Sequence, residues 1–108
     1  MTVNELIEKS GYKPVSLPDG EREISGVYIG DLLSWVMGRA RADNAWITIM
    51  SNINIVAVAS LADTSCIIVA ENVELPADIT ATAKAKGVNI LSSPDGEYET
   101  ACLLHSLL

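Results

Sequence analysis

Thr48, Ser51, Asn52 and Asn54 interrupt the otherwise apolar run WITIMSNINIVAVAS between positions 46 and 60. Side-chain amides and hydroxyls donate and accept hydrogen bonds, so Ser51, Asn52 and Asn54 suit a neutral or amine-bearing polar metabolite. The same residue types favour helix starts, where a side-chain oxygen accepts from an unpaired backbone N–H. Capping is therefore the competing explanation. Comparable groups recur beside other apolar runs: Asp31 after VYIG, Glu71 and Asn72 after CIIVA, and Ser92 and Ser93 at the end of VNILSS. Two carboxylates in this set fit a nucleoside-like moiety better than a bare phosphate, which they would repel.

Other chemistry finds less support. His105, the single histidine, falls at helical spacing from Tyr98, Ala101 and Cys102. A thiolate nucleophile needs a base, an orienting group and an electropositive setting, and two residues on one helix do not supply them. A structural histidine beside a buried thiol is the expectation. Cys66 and Cys102 form no C-x-x-C pair, so both read as buried free thiols, with no metal and no cofactor implied. Neither G-x-x-x-x-G-K-[ST] nor a glycine-rich kinase loop occurs, which leaves phosphoryl transfer without its phosphate cradle. The sequence points to a non-enzyme.

A chain of 108 residues reads as one domain, 1–108. Seven Lys and Arg against fourteen Asp and Glu give a formal charge of −7, and no basic stripe appears, so nucleic acid and anionic membranes are not expected partners. MTVNELIEKSG is acidic and amphipathic rather than a leader, and the expected location is cytoplasmic. Hydrophobic residues make up 49% and charged residues 19%, with mean hydropathy +0.30. So small a body cannot hide all of that apolar surface, and a homodimer is the usual solution. Helices starting near Asp31 and Pro94 are apolar around more than one face, which makes Leu32, Trp35, Leu103 and Leu107 candidate interface residues. Packing of Trp35 within its own chain remains the alternative.

The elements that must hold these groups follow from periodicity. Thr2 and Glu5 have capping-box spacing ahead of a helix that ends at Gly11. Pro18-Asp19-Gly20 reads as a hairpin turn between extended pieces around Val15 and Ile24–Ile29. Asp31 is placed to cap DLLSWVMGRA, and Ser93 to cap a last helix with Pro94 in its first turn. AWITIM, CIIVA and VNILSS read as buried strands, and PADITATAKAKG as a helix stopped by Gly87. NIVAVAS is rich in β-branched residues, yet a parallel crossover of about a dozen residues is needed there, which selects helix. The result is a three-layer α/β/α arrangement around a mostly parallel sheet.

IGDLLSWVMG, AWITIMSNINIVAVASL, CIIVAENVELPAD and GVNILSSPDGEYETACLL together resemble the DRTGG domain, in its small stand-alone branch, over residues 24–108. More distantly they are similar to the N-terminal domain of HPr kinase/phosphorylase. The resemblance implies an HPr kinase N-terminal-domain-like fold and a regulatory, ligand-sensing or dimerising role. It also implies a redox or signalling protein as a possible partner. The family's glycine-bearing loop is matched here by Met50-Ser51-Asn52-Ile53-Asn54, without glycine, which argues further against phosphate. The expected function is regulation through a small polar metabolite or nucleotide, or a protein partner, with a ligand-free scaffold as the alternative.

Overall fold

A computed structural model describes residues 1–108. Strand Asn44–Thr48 (β3) and strand Cys66–Val69 (β4) form its centre, paired in parallel from Ala45 opposite Cys66 to Thr48 opposite Val69. Every residue of that pairing is buried, as a parallel pair covered by helices on both faces requires. Strand Gly26–Ile29 (β2) pairs in parallel with β3, and strand Ile90–Ser92 (β5) with β4. Strand Lys13–Ser16 (β1) adds antiparallel to β5, giving the order β1-β5-β4-β3-β2.

Alternation along the strands sends side chains to two cores. Trp46, Ile67, Val69 and Ile90 pack against the helices Leu33–Arg39 (α2), Asn54–Ala62 (α3) and Ala77–Lys86 (α4). Ala45, Ile47, Cys66, Ile68 and Leu91 pack against Val3–Ser10 (α1) and Glu97–Leu107 (α5). This is the three-layer α/β/α arrangement expected from the sequence. NIVAVAS is helical because β3 and β4 are parallel and α3 is their crossover. The Thr2–Glu5 capping box is present, and Gly11 and Gly87 end α1 and α4 at φ 74, where a side chain would be strained.

Three local expectations are corrected. Pro18-Asp19-Gly20 is not a hairpin turn, because β1 and β2 lie at opposite edges of the sheet. The segment between them instead runs beneath the amino ends of the strands. Asp19 bonds Asn89, Arg22 bonds Asp43 and Asp63, and the Ser25 N–H donates to Asp43. Asp31 does not cap α2, whose cap is Leu32 without a side-chain bond; its carboxylate is taken by the end of β3. Ser93 does not cap α5 and Pro94 precedes that helix, which starts at Glu97 after Gly96. Ser93 is buried and its hydroxyl pairs with that of Thr100 at 2.8 Å.

The buried Asn89 amide fastens the strap between β1 and β2. It accepts from the Asp19 N–H at 3.0 Å and donates to the carbonyls of Asp19 at 2.7 Å and Ser65 at 3.0 Å. Replacing it by alanine strands these backbone groups, so Asn89→Ala is expected to cost about 2 kcal/mol in urea unfolding. A loss under about 0.5 kcal/mol would mean that water satisfies them and the strap does not depend on this side chain.

Candidate functional site

Because β2, β3, β4 and β5 are parallel, their carboxyl ends and the loops into the next elements share one edge of the sheet. Lys13 joins this edge, since antiparallel β1 sets it opposite Ser92. Helix α4 follows β4 on one face, whereas α5 follows β5 on the other. The two loops therefore diverge between β4 and β5, the position at which open α/β sheets form a crevice. Its roof is closed by backbone bonds: the Glu71 N–H donates to the Asp95 carbonyl at 2.7 Å and the Asn72 N–H to the Ser93 carbonyl at 2.9 Å. Glu71 and Asn72 hold this geometry at φ 65 and 53. Asparagine tolerates the left-handed region, and glutamate less so.

Two environments flank that stitched turn. On one side lies a cleft of about 460 Å³ between β1, the end of β5 and α4. Val15, Val73 and Leu75 give it an apolar floor continuous with the core, and Lys13, Asn72, Glu74, Thr80 and Ser92 supply polar groups. An ammonium, a carboxylate, a carboxamide and two hydroxyls over an apolar floor can hold a flat, hydrogen-bonding ring of little net charge.

On the other side carboxylates converge. The Asp31 Oδ1 accepts from the Thr48 hydroxyl at 2.8 Å and the Ile49 N–H at 2.9 Å, tying the β2–α2 loop to the end of β3. Glu97 lies beside it in the first turn of α5, its Oε2 buried without a hydrogen-bond partner in protein. Burial pushes the Glu97 carboxyl up to about 7, helped by the neighbouring carboxylates of Asp31 and Glu71. The carboxylates crowd Gly96 as well: a Cβ there would stand 2.5 Å from the Glu99 Oε1 and 2.8 Å from the Glu71 Oε1, so both side chains would have to swing aside.

The candidate residues thus separate. Asn72 and Ser92 line the cleft, and Asp31 and Glu71 belong to the carboxylate group. Ser93 is consumed by Thr100. Ser51, Asn52 and Asn54 lie outside both, on the β3–α3 loop, where the Asn52 Oδ1 accepts from the Asn54 N–H at 2.9 Å and closes the turn before α3. Lys13, Thr80 and Glu97 were not singled out by sequence. The antiparallel placement of β1 has no local signal, and an acidic first helical turn is too common to single out Glu97.

The remaining candidates are dispersed. Cys66 is buried, its thiol pushed up to about 12 by burial, and is unreactive. Cys102 is exposed rather than buried, because it faces outward on α5, and no hydrogen bond joins it to His105. Leu32 and Trp35 are 61% and 54% exposed, with the Arg39 guanidinium 4.0 Å over the Trp35 ring. Leu103 and Leu107 are half-buried against the α1/α5 core.

The Glu97 carboxyl generates a pH signature. Its ordinary value is 4.5 and its folded value about 7, so the folded state binds the proton more tightly. The stability this proton confers is complete below 4.5, is lost as pH rises to about 7, and is flat above. Glu97→Gln keeps a donor toward Asp31 and removes the ionisation. Its thermal stability is expected to gain on the parent chain across that window. Parallel melting-temperature curves from pH 4 to pH 8 would show that Glu97 ionises normally.

A family model for the DRTGG domain matches residues 19–107. Among solved structures, the chain resembles the CBS and DRTGG domains of the regulatory region of Clostridium perfringens pyrophosphatase complexed with activator, diadenosine tetraphosphate. The TM-score is 0.72 at 14% identity, over 95% of this chain and 45% of that one. At that identity the likeness establishes the fold, and this chain spans less than half of the neighbour's length. No curated protein matches the sequence. With most of its length under the family model and its strands and helices in the same arrangement, the chain belongs to the DRTGG domain family.

Proposed function

We propose that this chain is a non-catalytic regulatory domain, cytoplasmic and homodimeric, that senses a small polar metabolite carrying a nucleoside-like moiety. The observation that carries the reading is the cleft beside β5, where Lys13, Asn72, Thr80 and Ser92 surround the floor of Val15, Val73 and Leu75. Family membership supports a regulatory role, and the neighbouring pyrophosphatase region was captured with a nucleotide activator. In this reading the base lies on the apolar floor with the Asn72 amide on its hydrogen-bonding edge. Ser92 and Thr80 meet the sugar, and any phosphate points to Lys13, away from Glu74 within the cleft and from Asp31, Glu71 and Glu97 beyond it. A low charge on the ligand follows from that acidic neighbourhood.

A second reading, a dimerisation module without ligand, draws on the exposed apolar side chains Leu32, Trp35 and Met37 of the α2 segment. Native mass spectrometry of freshly purified protein separates the two, since a retained metabolite supports the first and a bare dimer the second.

The direct test is titration calorimetry with adenosine and adenosine monophosphate. Asn72→Gly keeps the left-handed backbone while removing the amide, and is expected to weaken binding about ten-fold, the worth of one good hydrogen bond. Ser92→Ala should do likewise, with melting temperatures maintained in both and the ligand recovered unchanged. Asn54→Ala serves as a control outside the cleft. Equal affinity in the parent, Asn72→Gly and Ser92→Ala proteins, or loss on Asn54→Ala alone, would remove the cleft from the account.

A further inference from the structure

The two edges of the sheet are built differently. At one edge, β1 carries Lys13 and Pro14 and its register shifts between Pro14 and Ser16, three features that discourage a further strand. At the other, β2 is Gly26-Val27-Tyr28-Ile29, with no charge, no proline and a regular register along β3. Its outer side has no neighbouring strand, so the N–H and C=O groups pointing away from β3 are free to pair. Ile29 is 47% exposed there. Beside the strand, on the α5 face, lies a groove of about 390 Å³ lined by Gly26, Val27, Ile29, Ala101, His105 and Leu108.

We infer that β2 pairs antiparallel with β2 of a second copy, joining two five-stranded sheets into one of ten strands. A two-fold axis between Val27 and Tyr28 sets each Gly26 opposite Ile29 of the other copy and makes the contact self-complementary. Charge favours this occupant. Helix α2 covers β2 and ends at Arg39, with Arg41 just beyond it at the amino edge, where Asp43 and Asp63 are already paired with Arg22, while Asp31 stands at the carboxyl edge. Antiparallel pairing brings the arginine end of each copy to the Asp31 end of the other. It also sends the two groups of Asp31, Glu71 and Glu97 to opposite ends, which matters between chains that each carry a formal charge of −7. A stable dimer buries about 800 Å² per copy, more than four strand residues provide. The exposed Leu32 and Trp35 on α2 and Leu108 after α5 supply apolar area for the rest.

The inference rests on the homodimer of the functional reading, and one experiment tells their failures apart. Sedimentation equilibrium of the full chain compares the parent with Ile29→Lys, which puts an ammonium on the edge without touching the pairing to β3, and with Ile29→Val, which keeps a β-branched apolar residue. The expected result is a dimer for the parent and Ile29→Val, and about ten-fold or weaker association for Ile29→Lys, the scale of burying an unpaired charge. A dimer unaffected by Ile29→Lys overturns the β2 edge and leaves the homodimer standing. A monomeric parent overturns both, as does a parent that associates only with a different protein. Hydrogen exchange of the parent guards against a misfolded variant: amides within 26–29 should become protected as concentration rises through the dimer range, and exchange independent of concentration overturns the pairing.

Discussion

The parallel pairing of β3 with β4 is the constraint on which everything else depends. Parallel neighbours cannot be joined by a tight turn, so each connection must climb over the sheet as a helix and return to the amino edge. Both faces of the central strands are then covered, and Ala45–Thr48 and Cys66–Val69 lose all contact with water. The same constraint gathers the carboxyl ends of β2 to β5 on one edge. Strand ends and helix starts leave backbone groups to be satisfied there, which is why Asp31, Thr48, Asn72 and Ser93 collect at that edge. A cleft with polar walls and an apolar floor is a by-product of this geometry, formed where α4 and α5 depart to opposite faces.

That edge is also where the chain accepts unfavourable local energetics. Glu71 adopts a left-handed conformation that costs a residue with a side chain about 1 kcal/mol or more. Glu97 is placed among Asp31 and Glu71 with its Oε2 buried and unpartnered. The bonds from Glu71 to Asp95 and from Asn72 to Ser93 offset part of this by joining the β4–α4 and β5–α5 loops. The amino edge shares part of this, with Asp43 and Asp63 left-handed at φ 65 and 58 and the Thr64 and Ser65 hydroxyls buried without partners, but differs in its charges. There Asn89, Arg22, Asp43 and Asp63 satisfy one another and the strap between β1 and β2, with no comparable crowding of like charges. Crowding of like charge, rather than backbone strain or unpartnered hydroxyls, is what distinguishes the carboxyl edge. It is there that a rule is broken without full local compensation, as expected of a functional end.

Sequence reading reached the central architecture because its signals are local. The runs AWITIM and CIIVA are continuously apolar, and the residues between them match the length a parallel crossover demands, so α3 was legible despite Ile55, Val56 and Val58. The Thr2–Glu5 box and the stops at Gly11 and Gly87 were legible for the same reason. Long-range facts were not. Whether Pro18-Asp19-Gly20 closes a hairpin depends on where β1 and β2 lie in the sheet, and they lie at opposite edges. Whether Asp31 caps α2 depends on the position of Thr48, which takes its carboxylate first. Lys13 and Ser92 become neighbours only through antiparallel pairing 79 positions apart in register, and no residue near either announces it. The carboxyl-edge location of the candidate groups was readable from the order of elements; their division between a cleft, a carboxylate group and an ordinary turn was not.

Amide chemical-shift mapping of the isotopically labelled chain with adenosine addresses the central claim most directly, because it locates contact without presuming which side chains make it. The account predicts saturable perturbations centred on Lys13, Asn72, Val73, Thr80 and Ser92, around the cleft between β5 and α4. Perturbations centred instead on Ser51, Asn52 and Asn54, or a spectrum unchanged at saturating ligand, would contradict it.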